Sequence, residues 1–106
     1  MEVQAPINYQ EEAQKIPVPE LKRMALDIAD EHNIPQSLFL GYFNHESKWN
    51  PVVPDPNGQL GGLGQITPSF WKDFGSGEPL THDAYDPRMH PGKNMAAIAR
   101  GLVKFR

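Results

Sequence analysis

Phe39, Tyr42 and Phe43 recur at i, i+3 and i+4 within the stretch Pro35 to Trp49, the spacing of one apolar helix face. One step further along that face, i+7 falls on Glu46. A carboxyl group on the core-facing side of a short helix must be paired, must hold its proton, or must line a cleft. A cleft carboxyl group shielded from water can keep a proton near neutral pH and give it to a leaving group, which is the work of a general acid. The other placement open to Glu46 is the frayed end of the helix, turned to solvent beside Lys48.

Other chemistries fit the chain less well. His45-Glu46 would begin a zinc-protease helix only if a second histidine stood four residues after His45, and that position is Trp49. His32, His82 and His90 have no ligand spacing with His45, so neither a metal nor another cofactor is expected. The glycines Gly61, Gly62 and Gly64 precede a helix but lack the Lys-Ser/Thr of a phosphate-binding loop; a tight turn near a ligand fits them better. There is no cysteine, and Ser37, Ser47, Ser69 and Ser76 lie in no nucleophile-elbow context. A second carboxylate for hydrolytic chemistry would be Asp55 first, with Asp83 and Asp86 behind it.

The elements that position these residues read as helices. Pro19 opens the first at its N1 position, with Leu21, Met24, Ala25 and Ile28 as the buried stripe and Asn33 ending it in a left-handed conformation. Pro35 starts a second helix that runs to about Lys48, and Trp49-Asn50-Pro51 stops it. From Pro51 to Gly64 there is no period; Asp55-Pro56-Asn57-Gly58 is a turn signal, and a loop of this length inside a small domain is more often functional than accidental. Thr67-Pro68 caps a short third helix carrying Phe70, Trp71 and Phe74, after which Gly75 to Asp86 is irregular. A last helix from about Lys93 carries Met95, Ile98, Leu102 and Phe105. Trp49, Phe70, Trp71 and Phe74 are expected mostly in the core. No strand pattern emerges, so the fold class is all-α. Residues 1–18 read as an extended arm, whose polar run could form a turn or two of helix, lying on the domain surface or on a neighbour; the domain proper is 19–106.

With 106 residues the chain has room for one domain and one modest core. A net charge of −3 without a basic cluster makes nucleic acid a poor partner, since phosphate neutralisation needs grouped Lys and Arg. No apolar run approaches a membrane span, and the N-terminus has neither the basic nor the apolar region of a secretion signal.

Three segments stand in order: Glu46-Ser47-Lys48-Trp49-Asn50-Pro51, then Gly62-Leu63-Gly64-Gln65 leading to Pro68-Ser69, then Asn94-Met95 in the last helix. Over about Leu21 to Arg106 they resemble the soluble-type lytic transglycosylases of the lysozyme-like superfamily. That family looks like E-S-x-x-N/D-P around its catalytic glutamate, then G-L-M-Q, then N-I. Gly64 stands where the family has Met, and Gln59-Leu60 where it has a small Gly-Ala pair. The family's Ala-Tyr-Asn segment would come after Arg106, so the resemblance implies a family domain whose C-terminal part lies beyond this chain.

The resemblance implies cleavage of the β-1,4 bond between N-acetylmuramic acid and N-acetylglucosamine in peptidoglycan. Glu46 would act alone, first as acid on the glycosidic oxygen and then as base on the muramyl C6 hydroxyl. Ser47 and Gln65 would orient backbone and substrate, and Gly62 and Leu63 would form a turn close to the sugar. Tyr85 would either stack on a sugar or pack on the surface. The expected partners are glycan strands and, through the arm, other particle proteins. The expected setting is a bacteriophage virion that degrades the bacterial wall locally during DNA entry. A hydrolytic muramidase using Asp55, or a structural virion domain of weak activity, are the competing expectations.

Overall fold

Prolines and short polar side chains set where the helices begin. In the computed structural model, which describes residues 6–52 and 60–105, five α-helices and one 3-10 turn account for most of the chain. No strand occurs among the described residues; an isolated bridge joins Gly61 to Ile66.

Helix α1 (Tyr9–Gln14) is capped by Asn8, whose Oδ1 accepts from the Glu11 N–H at 2.9 Å. This is the turn or two of helix that the polar run of the N-terminal segment allows. It docks on the body: Ala13 is fully buried, and the Gln10 N–H donates to the Ala84 carbonyl at 3.0 Å. Helix α2 (Val18–Glu31) starts one residue ahead of Pro19 and buries Leu21, Ala25 and Ala29. Asn33 takes φ 56°, the Ile34 N–H reaches the Ala29 carbonyl at 2.9 Å, and the Asn33 N–H reaches that of Asp30 at 3.3 Å. That double closure is a Schellman motif with Asn in the glycine position.

Helix α3 (Gln36–Ser47) buries Phe39, Phe43 and Ser47, a row at i, i+4 and i+8. Tyr42 and Glu46 lie half-buried beside this row, so Glu46 stands at the rim of the core-facing side and not on its centre line. Helix α4 (Pro68–Phe74) begins as its Thr-Pro signal predicts, with Thr67 Oγ1 accepting from the Phe70 N–H at 3.1 Å. A 3-10 turn at Pro87–Met89 follows the irregular stretch, capped by Asp86. Helix α5 (Pro91–Lys104) begins two residues earlier than its apolar stripe suggests, because His90 serves as N-cap and Pro91 as N1.

Helix α5 packs on α2, α4 and the 3-10 turn, and α2 also packs on α3. One core joins Leu21, Phe39, Phe43, Trp49, Leu63, Ile66, Trp71, Met95 and Ile98. Each such large side chain contributes about 1.5 to 3 kcal/mol on burial. Of the four aromatics expected in the core, Trp49 and Trp71 are buried, while Phe70 and Phe74 are half-buried against it. Phe105, the last residue of the expected stripe in α5, is 77% exposed.

Candidate functional site

Glu46 sits in the last turn of α3, followed at once by an unusual exit. Lys48 (φ 52°) and Trp49 (φ 65°) are consecutive left-handed residues, neither of them glycine. Each such residue costs roughly 1 kcal/mol of backbone strain, which the surroundings must offset. The Trp49 ring supplies the anchor. It is 5% exposed, lies 5.7 Å from Phe43 ring to ring, and carries the Lys22 ammonium 5.7 Å over its face. The Asn50 N–H closes back on the Ser47 carbonyl at 3.0 Å, and Asn50 Oδ1 accepts from the Val52 N–H at 3.1 Å.

The neighbours of Glu46 on α3 divide into two kinds. Ser47 is buried and its hydroxyl donates to the Phe43 carbonyl at 3.1 Å, which commits its proton to the helix. Tyr42, one turn before Glu46, is half-buried with its ring edge-on to Phe43 at 5.5 Å. Burial, and then the negative charge of Glu46, push the Tyr42 phenol above its ordinary value.

The second segment is a closed turn. Gly61 and Ile66 exchange backbone hydrogen bonds of 3.1 and 3.0 Å. Inside them the Gln65 N–H and the Gln65 Nε2 both donate to the Gly62 carbonyl, at 3.1 and 2.8 Å. Gln65 itself takes φ 51° and Gly62 φ 73°. The glycine requirement comes from the protein's own atoms: a Cβ on Gly62 would stand 2.2 Å from the Arg88 carbonyl oxygen and 2.4 Å from Asn94 Nδ2. Leu63 is wholly buried in the core. Ser47, Gly62 and Leu63, expected near a sugar, are all buried. Gln65 is half-buried, with its amide nitrogen committed to the turn.

Asn94 ties the second segment to the third. Its Nδ2 donates to the carbonyls of Gly61 and Arg88, both at 2.9 Å, and its Oδ1 accepts from the Gly64 N–H at 2.8 Å. Beneath it lies a buried ion pair absent from the sequence reading. Arg88 Nε and Nη2 reach the two Asp86 oxygens at 3.0 and 3.1 Å, and Arg88 Nη1 donates to the Ile66 carbonyl at 2.8 Å. Burial pushes the Asp86 carboxyl up, but hydrogen bonds from Arg88 and from the His82 N–H outweigh it and hold the group below the usual carboxylate range. The signal for this turn was present as Asp86-Pro87, a cap followed by an N1 proline.

The remaining candidates lie elsewhere. Tyr85 is 43% exposed in the loop that receives α1, its N–H bonded to Asp83 Oδ1 at 2.9 Å. Asp83 also accepts from the Thr81 hydroxyl at 2.6 Å. Asp86, named as a possible second carboxylate, is fully buried and paired with Arg88, which takes it out of that role. Asp55 lies outside the described residues. Among the described residues, no group of three or more His, Asp or Glu side chains is arranged to hold a metal ion. Compared with protein-family models, with characterised proteins and with solved structures, the chain matches none of them.

Proposed function

We propose that this chain is a lytic transglycosylase domain acting on peptidoglycan, with Glu46 as its single acid and base. The observation that supports the reading is that Asn94 ties the second motif segment to the third, and that Trp49, Leu63 and Met95, one from each segment, share one core with Phe43. Glu46 stands at the rim of the helix immediately before the strained Lys48-Trp49 exit. The Gly61–Ile66 turn is bracketed by Asn94 and sends Leu63 into the same core as Phe43 and Trp49. Strain of this kind is kept only where the surroundings over-determine it, and it clusters at functional sites.

The chemistry follows from one carboxyl group used twice. Protonated Glu46 gives its proton to the glycosidic oxygen as the bond from that oxygen to C1 of the muramyl residue breaks. The resulting carboxylate takes the proton of the muramyl C6 hydroxyl as that oxygen bonds to C1. The products are a 1,6-anhydro end and a free sugar hydroxyl, with no water consumed. Hydrolysis would instead call on a second carboxylate to activate water; the buried ion pair with Arg88 withdraws Asp86 from that role.

Digestion of purified sacculi with the full-length protein, read by mass spectrometry, tests the proposal. Anhydro ends, lighter by one water than reducing ends, are the expected product. Glu46→Gln is expected to remove at least about a hundredfold of the rate, the scale of a lost general acid. Products with reducing ends only, or full activity in Glu46→Gln, would reject it.

A further inference from the structure

We propose that Tyr42, one helical turn before Glu46 on the same flank of α3, is a positioning residue for it, its phenol donating to the Glu46 carboxylate during the reaction and fixing the direction in which that group points. The inference rests on the reading of Glu46 as acid and base, and adds to it a residue outside the three motif segments.

The geometry is that of α3 itself. Residues four apart on a helix are surface neighbours. Side chains lean toward the helix N-terminus, so Glu46 leans back over the turn that carries Tyr42. Both residues are half-buried on the same flank of the buried Phe39–Phe43–Ser47 row. The Tyr42 ring has little freedom, because Phe43 meets it edge-on, with 79° between planes, and because it packs against the core. A ring fixed in this way holds its hydroxyl in a defined place.

The charge state suits the role. Burial and the charge of Glu46 both favour the neutral phenol, so at neutral pH Tyr42 carries an O–H that can donate. An ionised carboxylate accepts such a bond strongly. In the proposed reaction Glu46 acts as a base after it has protonated the leaving oxygen. A phenol donor would hold one carboxylate oxygen at that moment and leave the other aimed at the C6 hydroxyl. No proton moves from Tyr42; it orients.

Two variants of the full-length protein test this. The first is Glu46→Gln, with the Tyr42 ring followed by carbon-13 NMR during an alkaline titration. Removing the carboxylate is expected to lower the pH at which the Tyr42 phenol ionises, while Tyr9 and Tyr85 do not move. The second is Tyr42→Phe, which keeps the ring and its packing. Its kcat for anhydro-product release is expected to fall about tenfold, the scale of one hydrogen bond to a charged group, with KM and melting temperature unchanged. A Tyr42 titration indifferent to Glu46→Gln overturns the inference, as does an unchanged kcat in Tyr42→Phe. Cleavage retained in Glu46→Gln overturns the enzymatic reading instead, and the catalytic part of this inference with it.

Discussion

Lys48 and Trp49 leave α3 in the left-handed region, and Gln65 adopts the same region inside the Gly61–Ile66 turn, yet different forces hold the two segments. At the exit of α3 the anchor is aromatic: the buried Trp49 ring lies against Phe43 and under Lys22. In the glycine turn the anchors are polar: Asn94 and Arg88 fill their hydrogen bonds on backbone groups of residues 61, 64 and 66. Apolar packing degrades gradually when it is disturbed, because neighbours relax into the space. A buried polar bracket fails more sharply, since each lost partner leaves another group unsatisfied in a medium that punishes it. The exit of α3 is therefore the more tolerant of the two, and the glycine turn the more brittle.

The largest expected effect tests that brittleness. Arg88→Ala leaves the Asp86 carboxylate buried without its partner and is expected to cost about 3 to 5 kcal/mol in urea denaturation. Both groups are almost wholly buried, at 1% and 0% exposure, so solvent screening does not reduce the figure. The double variant Asp86→Ala with Arg88→Ala is expected to lose less than the single one, because no uncompensated charge remains. If the double variant loses as much or more, charge is not what holds the turn, and the contrast with the aromatic exit disappears.

What the sequence revealed follows the same division. Helices α2, α3 and α4 were legible because proline, Thr67 and Asn33 act locally, and apolar spacing marks a face without reference to the rest of the fold. Glu46 was legible as a misplaced carboxyl group, but its position at the rim was not, since the buried row steps around the helix from Phe39 through Phe43 to Ser47. The bracket was illegible for a different reason. A buried arginine such as Arg88 is uncommon, and nothing in local periodicity marks one. Its partners Ile66 and Asn94 are far from Arg88 or on another element, so only tertiary structure reveals them. The start of α5 was missed because His90 is not among the usual capping residues, although Pro91 after it carried the same signal as Pro68 after Thr67.

His90 gives a smaller and more selective test. Its Nδ1 accepts from the Lys93 N–H at 3.1 Å, capping the helix that carries Asn94. The ring also meets Tyr9 edge-on at 5.6 Å, and the ion pair of Lys93 with Glu78 lies beside it. Burial first, and then the charge of Lys93, lower the His90 pKa from its ordinary value. A lowered pKa in the folded state means that folding favours neutral His90. Its stabilising contribution is whole above the unfolded value near 6.5 and is lost as pH falls through the folded value. Protonated Nδ1 cannot accept, so the cap is lost at about 1 kcal/mol. Between pH 7 and pH 5 the amides of residues 61–66 are expected to lose hydrogen-exchange protection while those of α3 keep theirs. His90→Asn, which caps without titrating, is expected to flatten the response. Equal loss in both segments would mean that acid does not act through the bracket.

The smallest expected effect concerns the exit of α3 alone. Lys48→Gly places at φ 52° the residue type that meets no Cβ penalty there. The gain is limited, because glycine also gives the unfolded chain more freedom to lose. The balance is expected to be a stabilisation of about 0.5 to 1 kcal/mol, read as a rise in melting temperature. If the strained exit serves only to end the helix, this variant should digest sacculi as fast as the unsubstituted protein. If the exit also fixes Glu46, a more stable protein should be a slower one, since relief of strain would free the last turn of α3. A rise in stability together with a fall in kcat would show that the strain at Lys48 helps to hold Glu46 for its task.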